Sequence, residues 1–322
     1  MDGDILADVR QYDGFTGMRA TPVAGGWLNR KWKLVTDQGD WLVKQFSSQR
    51  YDRAKLLRVE AALQRQMALE RQGVLCPHIR PLQGRAIRWT PEETAYMVME
   101  YRPGWMEGPQ TVTLRQLRSL GDACGRMHQA FARLPAESVE GYPLDSGRQL
   151  NALWDNLTAR KERCAPDDPP DYRRAVLAME PMLRALTPAF FEALPKGIAH
   201  EDFSPDNMLF GQDGVTAILD FDRNHYSYVW HDIGRAMLSL ALEGGRLRLE
   251  RIEAFLEGYA QHRPGVSLRR MPDILRLTWC VETPWWIQPE YFREKREKVA
   301  RFRDEMLWLT ERWFSLDTLF QA

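Results

Sequence analysis

The segment His200-Glu201-Asp202-Phe203-Ser204-Pro205-Asp206-Asn207 decides how this chain is read, together with its continuation through Met208-Leu209-Phe210, the turn Gly211-Gln212-Asp213-Gly214, and the apolar run Thr216-Ala217-Ile218-Leu219 ending in Asp220. Two short apolar runs around a Gly- and Asp-containing turn predict a β-hairpin. That hairpin carries Asn207 at one end and Asp220 at the other. Both are hard oxygen donors, suited to a small divalent cation that keeps most of its shell for water and phosphate oxygens. Asp202, ahead of the hairpin in a Ser-Pro-containing loop, is a carboxylate able to orient an attacking hydroxyl and accept its proton. Moving a γ-phosphoryl group asks for this combination, so the segment reads as a phosphoryl-transfer site with Asp202 as base and Asn207 and Asp220 as ligands of Mg²⁺. The spacing from Asp202 to Asn207 is that of the H-R-D-x-x-x-x-N loop of protein kinases.

Such a site also needs an element that covers the nucleotide phosphates and supplies a lysine. Lys31-Trp32-Lys33-Leu34-Val35 and Trp41-Leu42-Val43-Lys44-Gln45-Phe46, separated by Asp37-Gln38-Gly39-Asp40, alternate as two strands of a hairpin. Ahead of them, Gly25 and Gly26 give a backbone that can approach phosphate closely. Lys44 is the candidate for the α- and β-phosphates. Leu56, Val59, Leu63 and Met67 recur at helical spacing and predict an amphipathic helix over 52–72, with Glu60 on or beside the inward face and in position to pair with Lys44. Tyr96-Met97-Val98-Met99-Glu100-Tyr101 reads as a strand running into Arg102-Pro103-Gly104, an interlobe hinge. The expected division is therefore 1–101, a nucleotide-binding lobe, and 102–322, a catalytic and substrate-binding lobe.

Composition agrees with a two-lobed enzyme. The chain has 322 residues and is 44% hydrophobic, enough for a substantial core. Lys plus Arg total 44 against 44 Asp plus Glu, so no net field attracts nucleic acid or an anionic membrane. No apolar stretch approaches the roughly 20 residues of a membrane helix, and Met1-Asp2-Gly3-Asp4 lacks the basic and apolar regions of a signal peptide, so a cytoplasmic location is expected. Cys76, Cys124, Cys164 and Cys280 lack metal-ligand spacing and read as small apolar residues.

These residues resemble the aminoglycoside phosphotransferase and choline kinase-like family, whose signature is similar to His-Gly-Asp, an Asn five residues after the Asp, an Ile-Asp pair, and an Asp-Leu-Ala helix start. The matching residues are His200-Glu201-Asp202, Asn207, Leu219-Asp220 and Asp232-Ile233-Gly234-Arg235-Ala236, with Glu201 standing where the family usually has Gly. The resemblance covers most of the chain. It implies an α+β, protein-kinase-like two-lobe fold, with a small β-rich N-terminal lobe and a larger, mostly helical C-terminal lobe. It implies ATP and Mg as cofactors and a reduced glycine loop. It also implies that backbone groups of Glu100, Tyr101 and Arg102 meet the adenine edge, with Met99 and Tyr101 flanking an apolar slot, and that Asp232 braces the catalytic loop.

Leu114, Leu117, Gly121, Cys124 and His128 predict a core helix over 113–132, and residues 144–195 predict two or so helices broken by the proline-rich stretch 164–170. The short passage from Asp220 to Asp232 leaves no room for a long activation segment, which favours a small-molecule hydroxyl acceptor over a protein. Asp222 reads as a supporting acid, a substrate contact or a plain turn residue. The acceptor segment implied by the family is 278–290. There Trp279, Trp285 and Trp286 could form an aromatic wall or pack in the core, with Glu282 or Glu290 neutralising an amine. Phe292 to Lys298 reads as a solvated helix face with opposite charges at helical spacing. Competing readings are a Ser/Thr protein kinase of the short kind and a catalytically idle kinase fold like some spore-coat relatives. The oligomeric state is not legible.

Overall fold

The computed structural model describes residues 3–23, 29–137 and 139–321. The chain divides into two compact units, one of Met1–Trp105 with Asn207–Gly211 and Val215–Asn224, the other of Met106–Asp206, Gln212–Gly214 and His225–Ala322. The Arg102-Pro103-Gly104 break predicts a single cut after Tyr101, whereas the first unit runs on to Trp105 and takes the hairpin ending in Asp220 with it. Hydrogen bonding explains the difference. Trp105 and Phe210 exchange N–H···O bonds of 3.0 and 2.8 Å, Ile218 N donates to Leu75 O at 2.7 Å, and the Arg102 guanidinium donates to Thr216 O at 2.9 Å. Gly104 makes the close passage possible, because a Cβ there would sit 2.8 to 2.9 Å from Thr216 Oγ1, Leu209 Cβ and Phe210 O.

The first unit contains α1 (Gly3–Asp13), β1 (Arg19–Pro22), β2 (Arg30–Thr36), β3 (Gly39–Gln45), α2 (Arg53–Glu70), β4 (Arg88–Trp89) and β5 (Ala95–Glu100). The strands form one antiparallel sheet in the order β1-β2-β3-β5-β4. Alternation along the strands sends Trp32, Leu34, Val43, Tyr96 and Val98 to a face covered by Ile5 and Val9 of α1. Phe46 and Met97 point to the other face, against Leu56, Val59 and Leu63 of α2. Helix α2 begins where Asp52 caps it, its carboxylate accepting from Lys55 N at 2.7 Å. Helix α1 has too few apolar positions to show a period; buried Asp8, bonded to the Tyr96 hydroxyl, and Asp13, 2.5 Å from Arg88, tie it down.

The second unit is mostly helical: α3 (Leu114–Phe131), α4 (Ser146–Arg163), α5 (Pro170–Ala185) and α6 (Pro188–Glu192) precede strand β6 (Lys196–Ala199). The chain then leaves for β7 (Met208–Phe210) and β8 (Val215–Ile218) of the first unit. It returns through β9 (His225–Tyr228), which pairs with β6, to α7 (Trp230–Ala241), the short strands β10 (Leu242–Glu243) and β11 (Arg246–Leu247), and α8 (Leu249–Tyr259). Helices α9 (Met271–Trp286), α10 (Pro289–Arg293), α11 (Glu297–Arg312) and α12 (Leu316–Leu319) complete it. Thr113 and Gln116 close a capping box on α3. Backbones of α3 and α8 touch: a Cβ on Gly121 would lie 1.9 Å from Phe255 O, and one on Gly258 1.9 Å from Arg118 O. The 292–298 segment is not one helix face. It breaks between α10 and α11, and Arg293 instead pairs with Asp168 at 2.8 Å.

Candidate active site

In the first unit, β3 delivers Lys44 and the end of β8 delivers Asp220. The Lys44 ammonium is buried and lies 2.7 Å from Asp220 Oδ1 and 2.5 Å from Asp222 Oδ2. Burial pulls the Lys44 pKa down, but attraction to Asp220 and then Asp222 outweighs it and keeps the amine charged above its ordinary range. Burial likewise pushes Asp222 up, opposed by Lys44 and reinforced by the like charge of Asp220. The expected Glu60–Lys44 pair is replaced by this arrangement. Glu60 instead accepts from Ala86 N at 3.0 Å, Ile87 N at 2.7 Å and Gln64 Nε2 at 2.7 Å, so its charge is spent on the loop after α2.

Asp220 adopts a left-handed backbone (φ 60) and stays about one-third exposed, and Leu219 N donates to Asn207 O at 2.8 Å, holding the two ends of the hairpin together. A carboxamide and a carboxylate on backbones so tethered, the carboxylate partly open to solvent, fit a hard divalent cation sharing its shell with other oxygen ligands. Gly25 and Gly26 lie outside the described residues. At the hinge, Met99 packs against the α2-side core, and the N–H groups of Glu100 and Tyr101 are committed to His78 O (2.7 Å) and Asp40 O (3.0 Å). A ligand edge placed here would find these two N–H groups already taken. The Arg102 side chain is taken by Glu100 and by Thr216 O.

In the second unit, β6 runs into the His200–Asp202 loop. Asp232, on the first turn of α7, is fully buried and accepts from the N–H groups of His200 (2.7 Å) and Glu201 (3.0 Å) and from His128 Nε2 (2.9 Å). Burial would raise its pKa, but the His128 hydrogen bond and neighbouring imidazoles hold it below the ordinary carboxylate range. Asp202 N donates to His200 Nδ1 at 3.2 Å and Ser204 N to Asp202 O at 2.9 Å, so the loop's backbone is fixed while Asp202 stays partly exposed. The loop is thus held through its backbone, and it presents a partly exposed carboxylate as the candidate general base.

Beside this loop lies a buried cluster that sequence spacing does not reveal. His231 stands between Glu201 (3.7 Å) and Glu282 (3.2 Å), and Arg235 pairs with Glu305. Burial lowers the His231 pKa, but Glu201 and then Glu282 overcome it and push it up to about 9. Burial raises Glu282, yet the His231 hydrogen bond and Arg235 bring it down to about 2. Trp286 Nε1 donates to Glu282 Oε2 at 2.8 Å and its ring packs on Tyr291 and Phe302. The three tryptophans form no single wall. Trp279 is buried against Trp313, and Trp285, on the residue next to Trp286 and so turned about 100° around the helix, is 59% exposed.

A two-unit architecture in which a lysine meets an Asp at the end of a hairpin, and a braced His-x-Asp loop precedes that hairpin, defines the kinase-like phosphotransferases. The sequence model of the phosphotransferase enzyme family matches residues 19–265, and the chain belongs to that family. It is an ATP-dependent phosphotransferase with a hydroxyl group as acceptor. A homoserine kinase of Hyphomonas neptunium is 28% identical over 79% of this chain and 75% of its own length. Among solved structures, an amicoumacin kinase in complex with AMP-PNP and Ca²⁺ superposes with a TM-score of 0.65 at 16% identity, covering 97% of this chain and 93% of its own. A choline kinase from Cryptosporidium parvum gives 0.61 at 11% identity, covering 98% and 97%. No helix among the described residues is long and apolar enough to cross a membrane.

Proposed function

We propose that the chain transfers the γ-phosphoryl group of Mg²⁺-ATP to the hydroxyl of a small molecule such as an amino alcohol, an aminoglycoside-like compound or a sugar, with Asp202 as the general base. The observation that carries this reading is the pair of hydrogen bonds from His200 N and Glu201 N to Asp232, which presets the loop bearing Asp202. Its carboxylate takes the proton as the hydroxyl attacks phosphorus. Lys44, kept charged by its carboxylate partners, is the cation for the α- and β-phosphates, and Asp220 and Asp222 hold it in place until nucleotide arrives. Asn207 and Asp220 hold the divalent cation, whose chemistry is to neutralise charge on the phosphate oxygens. The carbonyls at Glu100 and Tyr101 and the side chain of Met99 serve the adenine. The direct passage from Phe221–Arg223 through β9 into α7 supports a small-molecule acceptor rather than a protein.

The test is ADP release from Mg²⁺-ATP across homoserine, aminopropanol, choline, aminoglycosides, sugars and a serine-rich protein, with Asp202→Ala as control. Acceptor-stimulated release that disappears in the variant is the expected result. Stimulation by the protein alone, or release unaffected by the substitution, would overturn the reading.

A further inference from the structure

A cavity of about 300 Å³ opens in the second unit where α4 and α5 meet the corner between α9 and α10, with Asn156, Arg160, Arg163, Tyr172, Gln288 and Glu290 among its walls. Arg160 is only 7% exposed, yet its hydrogen-bond partners are all neutral. Its Nε donates to Asn156 Oδ1 at 2.6 Å, and its Nη2 to the carbonyls of Thr283 and Pro284 at 3.1 and 3.2 Å. Among the described residues no carboxylate forms an ion pair with it; burial pulls its pKa below the ordinary arginine value, and Tyr172 and Glu290 offset only part of that. A buried cation without a counter-charge is a costly arrangement, and the carbonyls at the end of α9 amount to about half a negative charge. Arg163, exposed at the end of α4, brings a second positive charge to the same cavity, against the single exposed carboxylate of Glu290. Positive charge is thus in excess where there is also room for a ligand.

We propose that this cavity binds a small organic anion, a carboxylate or a phosphate ester, with Arg160 at its floor and Arg163 at its mouth. The planar guanidinium fork matches either anion through paired N–H···O bonds. Asn156, whose Oδ1 is taken by Arg160, keeps its amide N–H groups for a further ligand oxygen, and the Tyr172 hydroxyl is a second polar group on the wall. A volume of about 300 Å³ stands at the small end of ligand cavities, which suits a short acid better than a nucleotide. The bound anion supplies the counter-charge that the surrounding side chains do not. This site stands apart from the phosphoryl-transfer reading, since none of its residues is asked to take part in that chemistry.

The experiment is calorimetric titration of the full chain with succinate and with glycerol 3-phosphate, in an excess of Mg²⁺ and an ATP analogue so that the anions do not report on the nucleotide site. Wild type is compared with Arg163→Glu and Arg160→Gln. Arg163 is exposed, so its reversal leaves the fold alone and decides the matter even if loss of the buried Arg160 disturbs folding. The expected result is that wild type binds at least one of the two anions, and that each folded variant binds it at least about 10-fold more weakly. Absence of binding to wild type, or an affinity unchanged in either variant, overturns the proposal. Repeating the titration in the presence of L-homoserine or of choline separates the two sources of such an anion. Displacement by L-homoserine alone supports the site as the seat of an acceptor's own carboxylate, and displacement by neither supports it as the seat of a separate effector.

Discussion

Lys44 Nζ is 2.5 Å from Asp222 Oδ2, and this carboxylate, not that of Glu60, is its close partner alongside Asp220. A charge buried this deeply is stable only while paired, since breaking a buried pair costs about 3–5 kcal/mol. Asp222→Asn leaves Lys44 with Asp220 alone. Urea unfolding of this variant should show a loss of about 3 kcal/mol, and an unchanged midpoint would mean that Asp220 suffices.

Glu60→Gln separates structural from nucleotide-linked roles. Since the Glu60 carboxylate accepts from the backbone of Ala86 and Ile87, the variant should lose about 1–3 kcal/mol of stability. Its KM for ATP should stay within about twofold of wild type. A KM raised tenfold with stability intact would show Glu60 moving to Lys44 during turnover.

Asp202→Ala should lower kcat by about 10²–10⁴-fold, the range of a lost general base, while the affinity for an ATP analogue is preserved. Single-turnover kinetics with saturating nucleotide distinguish this from a binding defect.

The His231–Glu282 pair makes stability depend on pH from both sides. The folded His231 pKa is raised to about 9, so its contribution, about 3 kcal/mol, is complete below about pH 6.5 and is lost as pH rises through 9. Glu282 is depressed to about 2, so its contribution is complete above its unfolded value and is lost as pH falls toward 2. Unfolding free energies measured from pH 3 to 10 should fall at both ends, and His231→Gln should flatten the alkaline limb. A wild-type curve level from pH 7 to 10 would contradict the assignment.

Gly258→Ala puts a methyl where α8 meets the backbone of α3, 1.9 Å from Arg118 O. Backbone cannot yield as a side chain can, so thermal melts should show at least about 3 kcal/mol of destabilisation. Gly265→Ala, in open space though at positive φ, serves as the comparison and should cost much less.

What the sequence made legible was whatever is local and periodic. The β2–β3 alternation, the α2 apolar stripe and the hairpin ending in Asp220 are written in residues a few positions apart, and they place Lys44, Asn207, Asp202 and Asp220. Partnerships across the chain were not legible in this way. Nothing near Glu60 announces the backbone donors of Ala86 and Ile87, and His231 and Glu282, 51 residues apart, meet only because α7 packs on α9. Helix α1 escaped because two buried aspartates occupy positions where a period would show apolar residues.

The hairpin that ends in Asp220 and Asp222 completes the first unit from a distant part of the chain, Asp220 lying 176 residues beyond Lys44. On a ribosome making about 5–20 residues per second, the sheet and its two helices therefore wait on the order of 10 s, after Trp105 has been made, for the carboxylates that neutralise Lys44. During that interval the amine can be buried only unpaired, which is the costly state, so the early sheet stays open around it. The last strands to join thus act as a timer, and a protein cut short before Asp220 would lack the counter-charges that let its oldest part close.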